Sequence, residues 1–73
     1  MDEKEIMERL LLENSEFKRI FDEHRLKDEH LAALQNKSVL TEQEKLAESE
    51  LKKRKLVLKD KMYQMMSAYR KSR

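Results

Sequence analysis

The chain has 73 residues, of which 44% are charged and 38% hydrophobic, and its formal net charge at pH 7 is +2. A chain this short forms one small domain and buries too little surface to be very stable alone, so oligomerisation is expected. The sequence has no Gly, Pro or Cys, which excludes glycine-rich phosphate loops, disulfides and thiol chemistry and favours helices.

The first half of the chain predicts one long helix over about residues 3–35. Acidic residues cluster at its start, where the partial positive charge of a helix N-terminus favours them. Apolar residues recur on one face from Ile6 through Phe17 to Leu34, with the spacing of a helix. Asn14 and Ser15 lie inside this stripe, and we expect no break there because the stripe passes through them.

A turn is predicted at about residues 36–40 and a second helix at about residues 41–70. Residues 35–40 lose the helical period and include Asn36 and Ser38, which favour turns over helix interiors. Thr41 and Glu44 have the spacing of a capping box, so we expect Thr41 to be the N-cap of the second helix.

The second helix combines a narrow apolar stripe with a dense basic surface. Leu51, Leu58 and Met65 recur every seven residues, and a second series four residues further on merges with them into one stripe. That second series places Lys55 on the stripe, where a polar residue can fix helix register and oligomeric state. We assign this role to Lys55 and to His24.

The predicted fold class is all-α: an antiparallel two-helix hairpin with coiled-coil character, which forms a single domain over residues 1–73. A short connection between helices of similar length makes them antiparallel neighbours. A turn centred near residues 37–38 sets Phe17 by Leu58, His24 by Leu51 and Ile20 by Lys55. Leucines outside the stripe remain uncovered, so we expect a homo-oligomer, with a dimer of hairpins packed as a helical bundle favoured.

Charge is divided unevenly between the two halves. Residues 1–36 contain ten acidic and six basic side chains, whereas residues 37–73 contain five acidic and eleven basic ones. The halves could complement each other within the hairpin, or the basic half could bind nucleic acid or an acidic partner. The first interpretation is preferred because it needs only the chain itself.

Two segments share a recognisable pattern: residues 17–34, FKRIFDEHRLKDEHLAAL, and residues 51–66, LKKRKLVLKDKMYQMM. The adjacent Glu23 and His24 and the later KLVLKD are its more specific parts. With their spacing, the segments resemble the small bacterial proteins of the YdcH-like family. Lys27 stands where that family tends to have Leu. The resemblance implies a helical hairpin with coiled-coil character and no known activity.

Neither catalysis nor a bound metal is predicted. His24 and Asp28 have a spacing that places them on one helical face and could supply half of a metal site. With only two His and no Cys, we prefer a stripe histidine that is hydrogen-bonded to Asp28 or to the second helix. The five serines have none of the glycines that a nucleophile turn requires. We therefore predict no enzyme and no cofactor.

The predicted function is that of a non-enzymatic coiled-coil interaction or scaffold protein that self-associates and has an unknown protein partner. The alternative is a nucleic-acid-associated regulator that uses the basic second helix. The acidic N-terminus lacks the pattern of a secretory signal, and no apolar run has membrane-spanning length, so a cytoplasmic location without membrane binding is expected. The predicted packing and interaction residues are Leu10, Phe17, Ile20, Phe21, His24, Leu31, Leu51, Lys55, Leu58, Met62 and Met65.

Overall fold

A computed structural model describes residues 2–72, which form three helices: α1 (Glu3–Glu13), α2 (Ser15–Gln35) and α3 (Glu42–Lys71). The described residues contain no β-strand, so the predicted all-α class is confirmed. Three helices replace the predicted two, and the two-helix hairpin is therefore not confirmed. The molecule measures 48 × 20 × 15 Å, and α3 runs along most of its length, because a helix rises about 1.5 Å per residue.

Asn14 divides the predicted first helix in two. Its backbone is extended, with φ −129° and ψ 107°, and its side-chain Oδ1 accepts a hydrogen bond of 3.0 Å from the Phe17 N–H. The Asn14 N–H in turn donates to the Leu10 carbonyl at 2.9 Å, so Asn14 ends α1 and caps α2. The expectation of an unbroken helix was wrong. The apolar stripe shows only how hydrophobic residues are spaced, whereas the Asn14 side chain competes for backbone hydrogen bonds and can end a helix within that stripe.

The break lets α1 turn back along the other two helices. At its start, Glu3 and Met7 lie beside Phe21 of α2 and the neighbouring part of α3. At its end, the Tyr69 hydroxyl donates to the Glu13 carboxylate at 3.3 Å. Helix α1 therefore forms a third wall at one end of the molecule.

The N-caps of α1 and α3 come from polar side chains at the start of each helix. Asp2 accepts a hydrogen bond of 2.8 Å from the Glu5 N–H at the start of α1. Thr41 and Glu44 form the predicted capping box: the Glu44 N–H donates to Thr41 Oγ1 at 3.1 Å, and the Thr41 N–H donates to Glu44 Oε1 at 3.0 Å. The prediction of Thr41 as N-cap is confirmed.

Buried apolar side chains form two separate clusters. The three-helix cluster is at the end that α1 covers, and the two-helix cluster lies between α2 and α3 near the turn. The start of α2 packs against the end of α3 in the first cluster, so α2 and α3 run antiparallel. The buried members are Ile6, Leu10, Phe17, Ile20, Leu58, Met62 and Met66 in the three-helix cluster, and Leu31, Leu34 and Leu51 in the two-helix cluster.

The register of α2 against α3 differs from the predicted one. Phe17 and Leu58 share the three-helix cluster, as the predicted register requires. Nearer the connection, however, Leu51 packs with Leu31, and the Lys55 ammonium bonds Asp28, about two helical turns closer to the connection than the predicted Ile20. The first turn of α3 lies beside residues 36–41 rather than beside α2, and an ion pair joins the Lys37 ammonium to the Glu44 carboxylate. Near the connection, α3 is therefore displaced along α2 from the position that a turn centred near residues 37–38 predicts.

Candidate functional site

A groove runs between α2 and α3 next to the start of α1. Buried Leu31 lies at its floor, its rims are mostly cationic, and the one carboxylate that residues 2–72 contribute to it comes from α2. The lining residues are His24, Asp28 and Leu31 of α2 and Lys52, Lys55, Leu56 and Lys59 of α3. Side chains three, four or seven residues apart share one side of a helix, and the spacing of both sets brings them to this groove.

Lys55 and Asp28 bridge the two helices across the groove. The Lys55 Nζ lies 2.5 Å from Asp28 Oδ1. The hydrogen bond and the charge of the ammonium lower the pKa of Asp28 below its usual value. Among residues 2–72, the only carboxylate that lines the groove is thus paired with a cation of the facing helix.

His24 lies at the end of the groove nearest α1. Burial lowers the pKa of His24, and the charge of Lys55 lowers it further, while Asp28 acts in the opposite direction. Burial disfavours the charged imidazolium because it removes water from around the ring. His24 is therefore mainly neutral at pH 7 and can donate one hydrogen bond and accept another.

A second interhelical ion pair lies outside the groove. The Arg54 Nε donates to Glu23 Oε2 at 2.7 Å, and Nη2 donates to Glu23 Oε1 at 3.2 Å. This forked pair lowers the pKa of Glu23 and raises that of Arg54. Two parallel hydrogen bonds fix both separation and angle, so the pair holds the register of α3 on α2.

The predicted interaction residues fall into three groups in the structure. Leu10, Phe17, Ile20, Leu58 and Met62 are buried in the three-helix cluster, against which Phe21 and Met65 are partly buried. Leu31 and Leu51 belong to the two-helix cluster. His24 and Lys55 instead line the groove, where Leu31 also contributes to the floor.

Sequence reasoning did not select three groove residues as interaction residues. Lys52 and Lys59 are part of the dense basic surface of the second helix, and Leu56 is one of the leucines outside the apolar stripe. Their spacing of four and three residues along α3 is a signal that they share one side of the helix. The ion pair of Arg54 with Glu23 was not predicted either, because a turn centred near residues 37–38 sets Glu23 opposite Lys52 rather than Arg54.

Neither metal-binding nor membrane-spanning features are found in the described residues. Within residues 2–72 no group of three or more His, Asp or Glu side chains is arranged to hold a metal ion. None of the helices in that range has the length and apolar composition needed to cross a membrane.

Comparison with known families decides the affiliation of the chain. The profile of a family described as "Protein of unknown function (DUF465)" matches residues 17–66. The chain belongs to this family. It is the YdcH-like family, so the resemblance seen in the sequence is confirmed. The matched segment, residues 17–66, includes every residue that lines the groove and leaves out α1. No curated protein and no solved structure matches the chain.

Proposed function

We propose that the protein is a non-enzymatic interaction protein that self-associates, two copies packing their helices as a coiled-coil-like bundle. The observation that carries the proposal is the number of large apolar side chains left in contact with solvent. Among residues 2–72 these are Leu12, Leu26, Val39, Leu46, Leu56, Val57 and Tyr63. The proposal includes a cytoplasmic location, which the lack of cysteine in the sequence favours.

Leu46 and Val57 mark the surface on which a second copy would pack. They are 66% and 45% exposed, and their separation of eleven residues is close to three helical turns, so both point to one side of α3. Helix α1 lies on the opposite side, next to Tyr63. The surface around Leu46 and Val57 is therefore an uncovered side of α3, and we call it the outer surface.

The size of the outer surface favours a weak, reversible dimer. Complete burial of a Leu or Val side chain stabilises by about 1.5–3 kcal/mol. Association itself costs at least about 4 kcal/mol in lost translational and rotational freedom. Because Leu46 and Val57 are already partly buried, the four side chains of a symmetric dimer would gain only about 3–7 kcal/mol, which is close to that cost, so the dimer fraction should depend strongly on concentration.

Light scattering at several concentrations and two salt concentrations tests the proposal. The mass should rise from that of one 8.9 kDa chain towards twice that value. A variant with Leu46→Ser and Val57→Ser should stay monomeric, whereas Leu56→Ser removes an exposed leucine from the groove side and should still dimerise. A wild-type protein that is monomeric at every concentration, or equal effects of the two variants, would contradict self-association through the outer surface.

The alternative function, a nucleic-acid-associated regulator, is supported by exposed Lys53, Lys59 and Lys61 on α3. Several other cations of α3 already have carboxylate partners: Lys52 lies 3.8 Å from Glu48, and Lys55 and Arg54 bond α2. The association constant for DNA or RNA would fall steeply with salt. The slope of its logarithm against the logarithm of the salt concentration is about −0.9 for each phosphate neutralised. Absence of such salt-dependent binding would remove this alternative and leave self-association untouched.

A further inference from the structure

We propose that the groove between α2 and α3 binds an acidic amphipathic helix of a second protein. The inference rests on the proposed interaction role but not on self-association, which uses the outer surface on the other side of α3. It states which kind of partner the groove residues would bind. All of these residues lie within the segment that matches the family profile.

The charge of the groove favours an acidic partner. Three lysines of α3 line it, against the single carboxylate of Asp28, which Lys55 neutralises. Lys52 and Lys59 are exposed on the rim. Lys52 would exchange its long 3.8 Å contact with Glu48 for an incoming carboxylate, and both ammonium groups would keep part of their water. Rim charges of this kind steer and orient a partner more than they strengthen the final complex.

The floor of the groove favours an apolar helix face. Leu31 is buried at the floor, whereas Leu56, which is 62% exposed, lies at the open margin of the groove, where a partner can cover it. From Lys52 to Lys59 the groove extends along about two helical turns of α3. An amphipathic helix places apolar residues three and four positions apart, which matches a floor of this length.

Helix α1 already shows what kind of helix this face accepts. It packs on the same side of α2 and α3, and His24 and Lys59 line both its contact region and the groove. Its first turn is acidic, with Glu3 and Glu5, and its buried side is apolar. The groove is thus a continuation of an existing interface between an acidic helix and this face.

A second copy of the chain is a poor source for that helix. Its own α1 has the right chemistry, but Ile6 and Leu10 are buried inside their own fold at 1% and 4% exposure. Releasing α1 would open the three-helix cluster of the donor molecule. The occupant is therefore assigned to another protein.

Binding can be tested with a peptide that carries the chemistry of α1. The probe is an acetylated and amidated peptide with the sequence of residues 2–13, and the control peptide replaces each Asp and Glu with Asn and Gln. Methyl NMR signals of Leu31 and Leu56 report on the groove, and those of Leu46 and Val57 report on the outer surface. The acidic peptide should shift the first pair at concentrations where the neutral peptide does not.

Variants of the full chain locate the site. Changing Lys52 and Lys59 to Gln should weaken peptide binding by about threefold to tenfold, the size expected for two exposed charge pairs. Changing Lys53 and Lys61 to Gln makes the same change in net charge away from the groove and should leave binding within about twofold, since screened charges outside the contact contribute little. Leu56→Ser should weaken binding, whereas the monomeric Leu46→Ser, Val57→Ser variant should bind as the wild type does.

Four results would overturn the inference. They are the absence of shifts at Leu31 and Leu56, equal binding of the neutral peptide, shifts centred on Ile6 and Leu10 that show displacement of α1, and stronger occupation of the groove by a single-stranded DNA oligonucleotide. Since self-association is measured by mass and groove binding by methyl shifts, failure of one does not imply failure of the other. Circular dichroism of each variant confirms that it is folded.

Discussion

The two ends of the molecule differ in how well they bury the same kinds of side chain. The buried side chains of the three-helix cluster are 0–7% exposed, with Phe17, Ile6 and Leu58 at 0–1%, whereas those of the two-helix cluster are 5–9% exposed, and none of them reaches complete burial. Two helices can cover only one side of each other, and α1 supplies a third wall at one end. The comparison shows that a short helix of eleven residues completes the core where it packs and leaves a groove where it ends.

The groove is thus a consequence of where α1 begins. Glu3 and Met7 reach the level of His24 and Lys59, and beyond that point no helix within residues 2–72 covers the α2–α3 face. The same face is therefore core at one end and accessible groove at the other.

Truncating one buried side chain in each cluster should give unequal losses of stability. Phe17→Ala should lower the free energy of unfolding by about 3–5 kcal/mol, because it leaves a cavity that three helices enclose. Leu31→Ala should cost nearer 2 kcal/mol, because the open groove lets water and neighbouring side chains fill the space. Urea denaturation followed by circular dichroism measures both. A larger loss for Leu31→Ala would show that the two-helix end dominates stability.

Removing the cap between α1 and α2 should weaken the three-helix end selectively. Asn14→Ala deletes the acceptor for the Phe17 N–H and should cost about 1 kcal/mol. Hydrogen exchange should become faster in α1 than in the middle of α3. Asn36→Ala, at the C-cap of α2, is the matched control and should change exchange little. A gain in helix content and stability for Asn14→Ala would instead favour the continuous helix.

Acidification should destabilise the groove region in two steps. Because the pKa of His24 is lowered in the folded state, the unfolded chain binds more protons as pH falls through 6.5, and stability decreases there. A second decrease should follow as pH falls below about 4.5, where Glu23 and Asp28, whose pKa values are both lowered in the folded state, lose the charges that pair with Arg54 and Lys55. Urea denaturation between pH 8 and pH 3 measures both steps.

A histidine variant and an NMR titration separate the two steps. His24→Gln should abolish the loss of stability near pH 6.5 and retain the loss of stability at lower pH. An NMR titration of the His24 ring should give a midpoint below 6.5, in keeping with its lowered pKa. A midpoint above 6.5 would contradict the dominance of burial.

The smallest effect on stability is expected for Lys55→Leu. Asp28 is exposed in its ion pair with Lys55, so loss of the pair should change stability less than the Asn14→Ala change does. The variant replaces a groove cation with an apolar side chain, and light scattering should show a larger assembled mass than the wild type gives. An unaltered mass together with an unaltered register would remove the proposed role of Lys55 in fixing both.

Local signals in the sequence were sufficient for features that depend on a few neighbouring residues. The helical periodicity gave the all-α class, because apolar side chains at helical spacing need a common buried face. Thr41 and Glu44 located the start of α3, because a capping box is formed by residues three positions apart. Asn14 was a signal of the same kind, but the continuous apolar stripe outweighed it.

The sequence by itself determined that this chain is helical, where α3 begins, and which side chains are apolar enough for a core. Only the tertiary structure decided that α1 folds back, that Lys55 meets Asp28 rather than lying opposite Ile20, and that Lys52, Leu56 and Lys59 border one groove. The physical reason is the distance along the chain over which each interaction acts. Capping and periodicity act within one or two turns of helix, whereas the direction of α1 and the register of α3 depend on packing between residues distant in the chain.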